Sequence, residues 1–203
     1  MMSVLAPGWH EVARNDRPFP WTLTPPGQVF ASAVQSELAT TFPDGGLARR
    51  DTSTRTSGKT YRNWSRPAAP DDAPNGTWAG LLTDLLSREY RQQVAALLGQ
   101  PQAADVELRF VQHARGDWLD AHVDSADKVF SHIFYFADGW SPEWGGCLEL
   151  LNSADPQDVA FSIPPVTGQS VLMARTDHAW HQVSPVGPDA SAGRSSLLVH
   201  GWR

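Results

Sequence analysis

The amino-acid sequence lacks the features of three common classes of protein. A single cysteine, Cys147, occurs among 203 residues, so no disulfide can form within the chain and a reducing compartment is expected. No run of Lys or Arg is present and the formal net charge is -6, which argues against a nucleic-acid partner. The N-terminal residues lack a basic stretch followed by a long apolar run, so we expect neither a signal peptide nor a membrane span. Together these absences predict a cytoplasmic protein.

What is present is the composition of one globular domain. The 203 residues suffice for a single domain with a sizeable core, and the hydrophobic fraction of 41% is close to that of ordinary globular proteins. Nine tryptophans are many for this length and indicate aromatic-lined packing or a pocket. No internal repeat is visible.

The sequence changes character near residue 104. Before that point, two segments carry apolar residues at helical spacing. One is residues 28–42, and the other runs from Thr77, a candidate N-cap, to a stop at Gly99. Polar and loop-forming sequence lies between them, apart from a strand candidate at residues 60–64. We assign residues 1–104 to helical support of the domain.

After residue 104 the pattern is a succession of short strands. Apolar residues alternate with polar ones from residue 106 to residue 110, and six further runs follow that are rich in β-branched or aromatic residues. These runs cover residues 129–137, 147–151, 159–163, 170–174, 179–184 and 195–200. Seven or eight short strands predict a double sheet. We therefore expect a mainly β fold with flanking helices, a double-stranded β-helix or jelly roll whose core is residues 105–203.

Three residues in this β-rich half can hold a metal. In His122-Val123-Asp124 the two outer side chains point the same way if the motif lies in a strand. His181 would come from a distant strand, and two imidazoles with one carboxylate form the facial triad of non-haem Fe(II) oxygenases. The motif alone is weak evidence, because the same spacing also occurs in surface pairs. The later His181, followed by Arg194 at the start of an apolar run, strengthens the metal hypothesis.

His178 competes with His181 for the distal position of the triad. The two side chains would point to opposite faces of a strand, and His178 follows a turn signal at residues 176–177. The turn signal before His178 favours His181 for this role. Arg194 would be a solvated surface residue in the simplest interpretation. It precedes an apolar strand and shares a face with Ser196, which suits a site for a carboxylate.

Several segments of residues 105–203 together match the pattern of one enzyme family. They are residues 113–124 (HARGDWLDAHVD), 133–136 (IFYF) with Trp140, 145–148 (GGCL), 180–183 (WHQV) and 194–196 (RSS). The second half of the chain thereby resembles the 2-oxoglutarate/Fe(II)-dependent dioxygenase superfamily, in particular its prolyl-4-hydroxylase-like branch. The resemblance fades before residue 105.

The resemblance implies a role for each matched position. Arg194 would bind the far carboxylate of the co-substrate 2-oxoglutarate, with Tyr135 and Ser196 beside it. His113 stands where relatives often carry a Tyr, and we assign it as a further co-substrate contact. The implied iron ligands are His122, Asp124 and His181.

The implied reaction consumes O2 and 2-oxoglutarate, releases succinate and CO2, and hydroxylates an unactivated C–H bond. Ascorbate is an expected stimulant of such an enzyme. Related halogenases lack the carboxylate ligand, which makes room for chloride. The presence of Asp124 therefore favours hydroxylation or a similar oxidation.

The sequence leaves three hypotheses for the function. The first is oxidation of a small molecule, in particular an amino acid or amino-acid-derived metabolite, because the short chain leaves little room for a separate protein-docking domain. The second is a peptidyl (prolyl) hydroxylase. The third is a non-catalytic, cupin-like binding domain, although residues 125–128 lack the Glu that cupins commonly carry there. Residues 1–104 would supply substrate selectivity, and the predicted substrate contacts are Arg62, Asn63 and Trp118. The oligomeric state is left open.

Overall fold

A computed structural model describes residues 3–52 and 59–203 of the chain. Three α-helices lie in these residues: α1 (Ser32–Thr40), α2 (Gly76–Leu86) and α3 (Arg88–Leu98). The same residues contain eleven strands: β1 (Trp21–Thr24), β2 (Ala48–Thr52), β3 (Tyr61–Pro67), β4 (Asp105–His113), β5 (Trp118–His122), β6 (Lys128–Tyr135), β7 (Leu148–Leu151), β8 (Val159–Ile163), β9 (Ser170–Ala174), β10 (His181–Val183) and β11 (Arg194–Trp202).

The strands form one antiparallel sheet with the order β1-β9-β6-β11-β4-β3-β5-β10-β7-β8, and β2 pairs with β3. The sheet curls, so that side chains from distant parts of this order, such as Met173 on β9 and Leu148 on β7, line one cavity. This confirms the predicted mainly β, jelly-roll fold. Long connections join neighbouring strands, and residues far apart in sequence therefore meet inside the curl.

The strand predictions for residues 159–163 and 170–174 coincide with β8 and β9, and the other predicted strands are shifted by a few residues at their ends. β1, β2 and β5 are absent from the predicted strands. β2 (ARRDT) has no apolar alternation and is almost wholly exposed, so it carries no local strand signal. Its pairing with β3, from Ala48 opposite Ser65 to Thr52 opposite Tyr61, stabilises it instead.

The prediction of a single helix from Thr77 to Gly99 is wrong, because the chain breaks there into α2 and α3. Asn75, not Thr77, caps α2: its side-chain oxygen accepts a 2.9 Å hydrogen bond from the backbone N–H three residues later. Ser87 has extended backbone (φ -68°, ψ 156°), ends α2 and caps α3 with its own hydroxyl. The predicted stop at Gly99 is confirmed, since this glycine adopts the left-handed conformation with φ 63°.

The helices cover the face of the sheet that points away from the cavity. On β4 the alternation of side chains sends Leu108 and Phe110 into the helix-side core, whereas Arg109, Val111 and His113 line the cavity. Each fully buried large apolar side chain in this core stabilises the fold by about 1.5–3 kcal/mol. The helix layer therefore holds the inner strands in place. None of the helices in the described part of the chain is long and apolar enough to cross a membrane.

Candidate active site

Two histidines from neighbouring strands and one aspartate meet at one end of the cavity. His122 is the last residue of β5 and lies directly opposite His181, the first residue of β10. The Nε2 atoms of His122 and His181 each lie 3.9 Å from a different oxygen of Asp124. One ligand atom from each residue lies within 4.8 Å of the others, close enough to hold one metal ion between them.

The expectation that His122 and Asp124 share a strand face is wrong. β5 ends at His122, and Asp124 lies in the connection to β6. The carboxylate reaches the site because residues of β6 hold it: Lys128 Nζ donates to Oδ1 at 2.7 Å and Ser131 Oγ donates to Oδ2 at 2.7 Å. The two residues therefore converge through the tertiary structure rather than through the alternation of a strand.

Backbone carbonyls fix the tautomers of both histidines. Nδ1 of His122 donates to the carbonyl of Asp120 at 2.9 Å, and Nδ1 of His181 donates to the carbonyl of Ala179 at 3.0 Å. Each Nε2 is therefore left as a lone-pair donor facing Asp124. Burial, the largest cause, lowers the pKa of both imidazoles below the ordinary histidine range. Both rings are neutral near pH 7, which is the state that binds a metal ion.

The charge on Asp124 is stabilised as well. Burial disfavours the carboxylate, but the electrostatic surroundings of Asp124, among them the Lys128 ammonium that donates to it at 2.7 Å, hold the pKa of Asp124 well below its usual range. Lys128 is itself held over the ring of Trp202, 5.5 Å from its centroid. Two neutral nitrogens and one anionic oxygen are a ligand set that suits Fe(II).

A second polar group lies around Arg194, the first residue of β11, whose exposed fraction is only 2%. Its Nε donates to the carbonyl of Gly146 at 2.6 Å, and Nη2 donates to the Tyr135 hydroxyl at 3.4 Å. Its guanidinium also lies over the Tyr135 ring, 5.1 Å from the centroid. Gly146 has φ +64°, and a Cβ there would come within 3.3 Å of Arg194 Cδ, so a glycine is required at this contact.

His113 completes this group from β4, directly opposite Arg194. A guanidinium only donates hydrogen bonds, so His113 Nδ1 accepts from Arg194 Nη1 at 3.3 Å and the ring proton lies on Nε2. This Nε2 is buried and has no hydrogen-bond partner among the described residues. Burial, followed by the Arg194 charge, lowers the pKa of His113 well below the ordinary histidine value. The ring is a neutral donor with an unused N–H, which suits an anionic ligand.

The cavity between these two groups has a volume of about 490 Å³, within the range of small-molecule sites. Apolar side chains form part of its wall: Val111, Leu119, Ile133, Leu148, Met173, Val183 and Leu198. Polar and charged side chains form the rest: Arg50, Lys59, Tyr61, Asn63, Ser65, Arg109, His113, His122, Asp124, Lys128, Ser131, His181, Arg194, Ser196 and His200.

Of the three predicted substrate contacts, only Asn63 lines the cavity. Alternate side chains of β3 face inward, and Asn63 is inward whereas Arg62 is outward. Arg62 pairs with Asp51 at 3.1 Å and lies over Trp118, 4.7 Å from its ring centroid. Neither Arg62 nor Trp118 lines this cavity, because both lie on the outward face of the sheet, where they contact each other. Cys147 is buried, and His178 is exposed outside the cavity.

Sequence reasoning missed several residues of this wall. Arg50 lies on the unpredicted strand β2, and Lys128 and Ser131 attach to Asp124 from β6. Lys128 stands four residues after Asp124, a spacing that carries no signal outside a helix. Knowing that β2 pairs with β3 would have been needed to find Arg50.

Comparison with known proteins supports the predicted fold and the predicted chemistry. Residues 108–203 match the family model described as the 2OG-Fe(II) oxygenase superfamily. The matched segment is just under half of the chain, and it is similar to members of that superfamily. The predicted enzyme class, a 2-oxoglutarate-dependent Fe(II) oxygenase, and the predicted cofactors Fe(II) and 2-oxoglutarate are confirmed at the level of the matched family.

Individual relatives point in the same direction. The chain is 30% identical over 146 residues to prolyl 3-hydroxylase sudestada1 of Drosophila melanogaster. The alignment covers 64% of this chain and 26% of that protein. The chain thus spans about a quarter of the length of this curated relative. A prolyl-4-hydroxylase from Pseudomonas putida has a similar structure, with a TM-score of 0.68 and 21% identity over 90% of this chain and 92% of that one.

A more distant fold relative is HygX from Streptomyces hygroscopicus, whose structure has nickel and 2-oxoglutarate bound. It has a TM-score of 0.57 and 13% identity over 89% of this chain and 82% of that one. At such low identity the likeness shows the fold alone.

Proposed function

We propose that this oxygenase hydroxylates an unactivated C–H bond of a small molecule, an amino acid or amino-acid-derived metabolite, with release of succinate and CO2. The observation that carries the proposal is the arrangement of two neutral imidazoles and one carboxylate at a polar cavity of about 490 Å³. The retained carboxylate of Asp124 supports hydroxylation, because it occupies the position that a halide would need.

In this proposal Nε2 of His122, Nε2 of His181 and a carboxylate oxygen of Asp124 hold Fe(II). With these three protein ligands, a bound Fe(II) would keep further coordination positions for the co-substrate and O2. The bound iron supplies the oxidative chemistry together with O2 and 2-oxoglutarate. The protein fixes the ligands through the carbonyls of residues 120 and 179 and through the two donors on Asp124. Such outer contacts orient the ligands and set their basicity.

Arg194 holds the far carboxylate of 2-oxoglutarate, with Tyr135 and His113 as further donors. Burial raises the pKa of Tyr135, so its hydroxyl keeps its proton and can donate. The unused Nε2–H of His113 supplies another donor next to the guanidinium. Ser196 lines the same cavity, although its hydroxyl already donates to the carbonyl of Val111 at 3.3 Å. Charge-assisted bonds of this kind are shorter and stronger than neutral ones.

The apolar part of the wall, such as Leu148 and Ile133, limits the water that reaches the reacting carbon.

We further propose that the chain works as one domain, in which residues 105–203 carry the chemistry and residues 1–104 supply the helices and part of the substrate side. The position of Asn63 on the inner face of β3 supports this division. The reducing cytoplasm stays the expected location, on the basis of the single cysteine.

A peptidyl prolyl hydroxylase is the second candidate. The observation that favours it is the 30% identity with a protein named as a prolyl 3-hydroxylase. A proline side chain presented by a peptide would fit the same cavity if its flanking residues lay outside.

The test is a product screen by mass spectrometry. The purified protein receives Fe(II), ascorbate and 2-oxoglutarate with a library of amino acids and metabolites or, separately, with a library of proline-containing peptides. We expect one metabolite to gain a single oxygen atom together with stoichiometric succinate, and the His181→Ala variant to give neither product. Oxygen gain confined to peptides would move the assignment to the second candidate. Oxidation by the His181→Ala variant equal to that of the parent would remove the proposed iron site.

A further inference from the structure

The cavity wall carries more positive than negative charge. Among the described residues, five cationic side chains line it: Arg50, Lys59, Arg109, Lys128 and Arg194. Asp124 is the one carboxylate among the lining side chains that the structure describes. Glu107 stands just behind the wall, where Arg109 Nη1 contacts it at 3.0 Å.

Two of these cations already have a role in the proposed function. Lys128 donates to Asp124, and Arg194 is reserved for 2-oxoglutarate. Arg109 donates from Nη1 to Glu107 at 3.0 Å and from Nη2 to the Ser65 hydroxyl at 3.4 Å. Because the second hydrogen bond is long, part of the guanidinium is left for a ligand in the cavity. Arg50 forms no hydrogen bond or ion pair with any residue in the described ranges. It is an exposed residue that lines the cavity beside Asn63, its partner in the β2–β3 register.

The charge excess persists when the cofactors are bound. The two charges of Fe(II) are balanced by the two carboxylates of 2-oxoglutarate. Five cationic side chains then stand against Asp124 and Glu107, so the remaining space is positive. A cavity with low-dielectric walls concentrates such a potential and favours an anionic ligand. This potential does not stabilise an apolar substrate group, whereas it stabilises a carboxylate.

Asn63 indicates a second feature of the substrate, a hydrogen-bond donor beside the anionic group. Its side-chain oxygen is buried and accepts no hydrogen bond from the described residues. A buried acceptor without a donor is costly, at about 1–3 kcal/mol. A substrate N–H next to the bound anion would satisfy this oxygen.

We propose that the substrate presents a free carboxylate to Arg50 and an adjacent N–H to Asn63, its partner in the β2–β3 register, while Arg109 adds to the positive potential of the cavity. This deepens the proposed function and rests on it. The chemical class is an amino acid with a free α-carboxylate and an acylated or otherwise uncharged N–H, rather than a residue inside a peptide. An internal peptide residue has the N–H but no carboxylate, and it would leave Arg50 without an anionic partner.

The test uses pairs of probes that differ in one charge. N-acetyl amino acids covering the common side chains, and the matching N-acetyl amino acid amides, are titrated calorimetrically into the anaerobic protein loaded with Fe(II) and 2-oxoglutarate. We expect at least one acid to bind about tenfold more tightly than its amide, the gain of one partly exposed charge-assisted contact. The Arg50→Gln variant should lose that preference.

Arg49→Gln is the matched control. Arg49 is the neighbouring residue of the same strand, lies near Asp51 at 3.8 Å and stacks over Trp64, 5.8 Å from its centroid, outside the cavity. This variant should keep the preference for the acid. The proposal is overturned if no acid binds, if acids and amides bind alike, or if Arg50→Gln keeps the full preference.

The optical charge-transfer band of the Fe(II)–2-oxoglutarate complex in the parent protein distinguishes a wrong substrate class from a wrong proposed function. If the band forms and the acids show no preference, the substrate class is wrong and the proposed function stands. If the band does not form, the proposed function and this inference both fall.

Discussion

Replacement of Arg194 provides a quantitative test of the co-substrate site. In Arg194→Lys the charge stays, but a single ammonium lacks the planar fork that can hold the 2-oxoglutarate carboxylate through two N–H groups. The loss of one charge-assisted hydrogen bond to that carboxylate costs roughly 1.5–3 kcal/mol, which raises the Kd for 2-oxoglutarate about 10- to 150-fold. In Arg194→Ala a carboxylate stays unpaired in a site where the arginine is 2% exposed. That costs roughly 2–5 kcal/mol, or about 30- to 4,000-fold in Kd.

The assay is an anaerobic titration of 2-oxoglutarate into the Fe(II)-loaded protein, followed by the metal-to-ligand charge-transfer band. Iron affinity is measured separately and should survive both changes, because Arg194 is not a ligand. Thermal unfolding checks the fold, since Arg194 also ties β11 to the carbonyl of Gly146. Arg115→Ala is the matched control, because Arg115 ties a loop to the carbonyl of Ala190 outside the cavity. A folded Arg194→Ala protein that binds 2-oxoglutarate as tightly as the parent would refute the reasoning.

Three further predictions concern iron, substrate and stability. His181→Ala should abolish iron binding and turnover. In the parent, iron affinity should begin to fall only below the ordinary histidine pKa of about 6.5, because burial lowers the pKa of this ligand and protons compete with the metal. Equilibrium dialysis from pH 7.5 to 5 checks both statements, and a decline already complete at pH 6.5 would contradict the second. Asn63→Ala should change consumption of the true substrate, because Asn63 lines the cavity. Arg62→Gln is the control and should leave it unchanged, because Arg62 faces outward over Trp118. Equal effects of the two variants in a coupled succinate assay would argue against this orientation of β3. His132 is fully buried and burial lowers its pKa to about 3, so the unfolded chain binds a proton there that the folded chain does not. Its contribution therefore makes the unfolding free energy fall by up to about 1.4 kcal/mol per pH unit as pH drops from about 6.5 towards 3. Urea unfolding of His132→Phe should show a shallower pH dependence, and an unchanged slope would exclude this residue as the source.

The fold class could be predicted from the sequence because strand periodicity is local. β8 and β9 have the predicted bounds, since their β-branched and apolar runs end at clear turn signals. The break at Ser87 could not be predicted in the same way. The apolar helical spacing continues across Ser87. The serine hydroxyl caps a new helix here, but serine also occurs within unbroken helices, so its presence alone does not predict a break.

The chemistry of the candidate site was largely determined by residue type and order. His122, Asp124, His181 and Arg194 can be recognised in the sequence because imidazole, carboxylate and guanidinium have few other uses in that arrangement. Their burial and their proximity agree with this interpretation, while their roles stay predictions.

Only the tertiary structure decided what surrounds those residues. The tautomer of His113, the attachment of Lys128 to Asp124 and the inward position of Arg50 depend on which strands become neighbours in the curled sheet. Antiparallel pairing joins residues more than 80 positions apart, such as His113 and Arg194, and no local pattern encodes such a partner. The physical reason is that side-chain periodicity specifies which face of a strand is buried, whereas the choice of neighbour is made by the packing of the whole chain.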